Sequence, residues 1–77
     1  MALRVIVGVI VEKNFTIGAN LPFIEVTDEI SNEELFIYVN TFEFYDLELF
    51  KRYAAVVKIF DSPDGLYGDL VQYIEAV

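Results

Sequence analysis

Asp28, Glu29, Glu33 and Glu34 place four carboxylates within seven residues, the densest set of potential ligands or acids in the chain. Carboxylates at that density can bind a hard cation, but calcium loops alternate their ligands at fixed offsets around a glycine, and this stretch does not. Asp61-Ser62-Pro63-Asp64-Gly65 is a second cation candidate and reads more simply as a turn with a helix cap. Five tyrosines (Tyr38, Tyr45, Tyr53, Tyr67 and Tyr73) could donate protons, yet no spacing joins any of them to a carboxylate. A Tyr in that position more often packs its ring and leaves the hydroxyl at a rim.

The rest of the catalytic repertoire is missing. The chain has no Cys and no His, so thiolate chemistry, disulfides, sulfur-ligated metal and the commonest general base are excluded. Its two serines, Ser31 and Ser62, read as caps. Neither GANLPF nor SPDGLYG has the spacing of a phosphate-binding loop. The sequence therefore predicts a non-enzymatic protein with no catalytic residue, metal or cofactor.

Charge narrows the partners. A net charge of −8 argues against direct binding of nucleic acid and of anionic membranes. Residues 14–50 hold eight acids and no Lys or Arg. Glu25, Asp28, Glu29, Glu33 and Glu34 form the candidate surface for a basic protein partner, nucleic-acid mimicry being one version. The competing view is a solvated acidic loop that aids solubility.

These residues must be carried by a single domain, 1–77, since the chain has no room for two cores. Leu3–Glu12 reads as a strand with one wholly apolar face (Leu3, Val5, Val7, Val9, Val11) and a second face apolar in its middle. Gly8 marks a bulge or a close backbone approach. Lys13-Asn14 reads as a turn into a return strand at Phe15–Gly18, and Phe23–Val26 as a third strand. Ser31-Asn32-Glu33-Glu34 fits a capping box. The aromatic and β-branched run that follows favours a fourth strand over 35–44 instead.

The helical wheel then puts Leu47, Phe50, Tyr53, Ala54, Val57 and Phe60 on one arc, predicting a helix over Asp46–Phe60. Ser62-Pro63 predicts a second helix to the C-terminus. Pro63-Asp64-Gly65 also reads as a hairpin turn between two strands, but the wheel sorts residue types more cleanly than alternation does. The expected fold is α+β: an antiparallel β-meander of three to four strands followed by two C-terminal helices.

The composition is 56% hydrophobic, which is rich for so short a chain. Two helices can cover one face of such a sheet and hardly both, so a second copy is the expected cover. The aromatic face Phe36, Tyr38, Phe42 and Phe44 is the expected interface of that homodimer. The function expected is a small acidic interaction module that binds or inhibits a protein partner, of a kind common among phage and mobile-element accessory proteins. The alternatives are a structural protein building a larger oligomer, or a small apolar-ligand binder. With no cysteine and no signal peptide discerned, the expected location is cytoplasmic.

Overall fold

The computed structural model describes residues 2–15, 22–63 and 65–77. Five strands form a closed barrel, β1 (Ala2–Asn14), β2 (Phe23–Asp28), β3 (Glu34–Tyr38), β4 (Arg52–Ser62) and β5 (Gly65–Glu75), with one short helix, α1 (Thr41–Asp46), between β3 and β4. The order around the barrel is β1-β2-β3-β5-β4. All neighbours are antiparallel except β3 and β5, whose parallel pairing closes the cylinder. This is the connectivity of the OB barrel, an architecture that does not by itself specify a ligand.

The expected α+β fold is therefore corrected to an all-β barrel with one six-residue helix. Both predicted C-terminal helices are strands. The hairpin reading of Pro63-Asp64-Gly65 holds at its flanks, where Ser62 pairs with Gly65 and β4 runs back along β5; Asp64 lies outside the described residues. The wheel misled because β4 is apolar on both sides. Tyr53, Ala55 and Val57 are buried inward, while Ala54 and Val56 look outward. A strand without polar alternation mimics a half-apolar helix.

The predicted strand over 35–44 is also corrected, ending at Tyr38. Asn40 caps α1 by accepting from the Glu43 backbone N–H at 2.7 Å, while the Glu43 carboxylate accepts from the Asn40 N–H at 2.8 Å. The capping box lies there, not at Ser31–Glu34. Lys13-Asn14 is the end of β1, not a turn. The predicted return strand Phe15–Gly18 falls outside the described residues beyond Phe15.

Closure puts the core inside the sheet instead of beneath helices. Ile6, Ile10, Ile24, Val26, Leu35, Ile37 and Val57 fill the cylinder, and Phe44 and Leu47 plug one end. The long β1 serves both halves by bending. Its first part pairs with β4 and its second with β2, with a register break between Ile10 and Glu12. β1 and β2 approach closely at Gly8, where a Cβ would lie 2.1 Å from the Thr27 carbonyl oxygen. The close approach predicted at Gly8 is present, and the bulge lies further along.

No helix among the described residues is long and apolar enough to cross a membrane. Among the described residues, the void lined by Ile6, Ile10, Ile37, Leu47 and Leu70 holds about 10 Å³, the room one water needs.

Candidate functional site

The outside of the barrel carries two distinct surfaces. The first spans β2, β3, β5 and the end of β4. Phe36 and Tyr38 point outward from β3, because Leu35 and Ile37 take the inward positions. Phe36 is in register with Tyr67 of β5, and Tyr67 with Phe60 of β4. The rings of Tyr38, Phe60 and Tyr67 are within 19° of parallel, with centroids 6.2–6.4 Å apart. Phe36 stacks on Tyr67 at 5.4 Å, and Phe23 meets Phe36 and Tyr38 edge-on. Five rings from four strands thus make one platform, and aromatic contacts of this geometry add about 0.5–1.5 kcal/mol each.

Carboxylates adjoin it. Glu25 lies two residues from Phe23 on β2 and opposite Phe36 on β3. Glu12 pairs with Glu25 from the other side, and Glu34 continues the β3 row beyond Phe36. The three carboxyl groups crowd together. The hydrogen bond with Glu34, then desolvation, then Glu12 push Glu25 up to about 7. No salt bridge reaches Glu12, Glu25 or Glu34 among the described residues.

The remaining acids of the predicted partner surface are engaged internally. Asp28 is only 2% exposed. It accepts from Arg4 Nη2 at 2.9 Å, Ser31 Oγ at 2.8 Å, and the backbone N–H groups of Val7, Ile30 and Ser31. Burial pushes its carboxyl up, but the bonds from Ser31, Arg4, Val7 and Ile30 outweigh it and hold the group at about 2. Arg4 also binds Glu33 at 2.9 Å, and Arg52 holds Glu29 through two nitrogens at 2.6 and 3.1 Å. The five acids therefore divide: Glu25 and Glu34 belong to the outer ladder, while Asp28, Glu29 and Glu33 fasten the β2–β3 turn to β1 and β4.

The aromatic residues expected to share one interface divide too. Phe36 and Tyr38 lie on the platform. Phe42 is 74% exposed on α1, and Phe44 is buried beneath it against Phe15 and Lys13. Phe23, Phe60, Tyr67 and Glu12 complete the surface and were not foreseen, because Phe60 and Tyr67 read as helical.

The second surface is an apolar wall. Leu3, Val5 and Val7 face outward from β1, in register with Lys58, Val56 and Ala54 of β4. Ile74 and Gln72 of β5 lie beyond Ala54 and Val56. Leu3, Val5 and Ile74 are 63–70% exposed. Val5, Ala54, Val56, Gln72 and Ile74 line an open depression of about 400 Å³, and none of them is charged. The signal for this wall was in the sequence, as the wholly apolar face of the first strand.

The tyrosine hydroxyls with identified partners serve the barrel's end: Tyr73 donates to Asp46 at 2.6 Å, and Tyr53 accepts from the Glu48 N–H at 3.0 Å. The Asp46 bond, then burial, pushes Tyr73 up to about 12. Among the described residues no acids converge as a metal ion requires. No protein-family model, no characterised protein and no solved structure matches this chain.

Proposed function

We propose that the chain is a non-enzymatic interaction module that pairs with a second copy through the apolar wall of β1, β4 and β5. One observation carries the proposal: Val5 and Ile74 stand open to water over a depression lined without any charged residue, in a molecule with net charge −8. Large branched side chains grouped this way mark contact surfaces in soluble proteins, and a two-fold pair is the simplest self-complementary cover. No acid lines that depression, so pairing there keeps the carboxylate ladder out of the contact.

Light scattering over a range of concentrations tests this. The wild type should have the mass of two chains, and Val5→Glu should have the mass of one while keeping the wild-type circular dichroism spectrum. A wild-type monomer at all concentrations would overturn the proposal. A mass that keeps growing with concentration would replace the closed pair with an open assembly.

A further inference from the structure

We infer that the aromatic platform and the carboxylate ladder beside it form a docking surface for an extended, arginine-bearing segment of a partner protein. This goes beyond self-association and stands whether or not the wall pairs two copies, because the two surfaces lie at opposite ends of the β4–β5 hairpin.

The allocation of the cations points to the occupant. Arg4 is committed to Asp28 and Glu33, Arg52 to Glu29, and Lys51 to Glu48 and Glu75. Lys13 donates to the Leu47 carbonyl at 2.7 Å and lies over the Phe44 ring. Lys58 lies on the far side of the platform, opposite Asp69. Glu25, faced by Glu12 of β1 and Glu34 of β3, therefore has two carboxylates and no identified cation beside it. Three carboxyl groups on adjacent strands cannot all ionise without repulsion, a cost that an arriving cation removes.

The adjoining rings select which cation. A guanidinium is planar, stacks on aromatic faces and forms paired bonds with carboxylates, whereas an ammonium is a strongly hydrated point charge. Phe36 and Tyr67 offer stacked faces next to Glu25 and Glu34. Because these groups come from neighbouring strands, side chains of an extended segment crossing them would meet ring and carboxylate in turn. Single-stranded nucleic acid could also stack its bases on such rings, but its phosphates would meet the acids that the platform borders.

The probe is a labelled nine-residue peptide alternating Arg and Gly, titrated by fluorescence anisotropy beside its Lys-Gly counterpart and an oligothymidine of equal length. The Arg peptide should bind tightest and the oligothymidine not at all. Glu25→Gln with Glu34→Gln should weaken the Arg peptide about tenfold, as loss of a central charge pair does. Glu48→Gln with Glu75→Gln removes the same charge elsewhere and should change binding less than about twofold. Phe36→Leu should also weaken it, and amide shifts in the wild type should cluster at residues 23–25, 34–38 and 67. At pH 7 binding should release protons from the ladder, seen as a heat that varies with the buffer. Equal losses from both charge-matched pairs, shifts away from those strands, or preference for the oligothymidine would each overturn the inference.

Discussion

Glu25 and Asp28 lie three residues apart on β2, and their carboxyl groups are shifted in opposite directions. Asp28 points into the barrel, where burial works against its charge, yet Arg4, Ser31 and backbone N–H groups hold it ionised with a pKa of about 2. Glu25 points outward, beside Glu34 and Glu12, and is pushed up to about 7. The difference shows that in this acidic chain the placement of a few cations matters more than burial. Where a cation and oriented donors were built in, a carboxylate became structural; where neither was, the acids were left with one another.

The largest effect expected from this contrast is at Asp28. Asp28→Ala strands the Arg4 guanidinium and several N–H groups of the β2–β3 turn, and should cost about 3 kcal/mol by urea unfolding. Loss below 1 kcal/mol would mean the network is incidental.

Next is pH. The folded pKa of Asp28 is below its ordinary value of 3.8, so its stabilisation is present above that value and is lost as pH falls toward about 2. Glu25 has the opposite sign. Its folded pKa is above its ordinary 4.5, so the unfolded chain releases this proton first, and stability falls as pH rises from about 4.5 to about 7. Urea midpoints at pH 3, 5 and 8 should therefore peak at the middle value. Glu25→Gln should raise the unfolding free energy at pH 8 by about 1 kcal/mol or less and leave it unchanged at pH 4. The smallest effect is at the exposed Arg52–Glu29 pair, where Arg52→Gln should leave the urea midpoint nearly unchanged.

The same placement decides what could be read from the sequence. The first strand was legible, since its length and apolar faces admit little else, and so was the close approach at Gly8. The second half was not. In β4, Ala54 and Val56 are apolar because they build the outer wall, and this erased the alternation that would have marked a strand. In β5, a register shift opposite Val56 and Val57 moves Tyr73 inward, breaking the period again. Gly68, which weakens a helix, is instead an inward position with no room for a side chain: a Cβ would meet Val57 Cγ1 at 2.3 Å. The platform was hidden for the same reason. Phe36 and Tyr38 were visible as a pair, but their partners Phe60 and Tyr67 come from strands that resembled helices. The acidic surface was read as one region because its members are close in sequence, and only the fold separates those held by Arg4 and Arg52 from those left outside.

We propose that the uncovered wall, not the aromatic platform, joins two copies. Isotope-filtered nuclear Overhauser spectra of a mixture of labelled and unlabelled chains test it most directly. Contacts between chains from the methyl groups of Leu3, Val5, Val56 and Ile74 are expected. Contacts from the rings of Phe36 and Tyr67 instead, or none between chains, would contradict it.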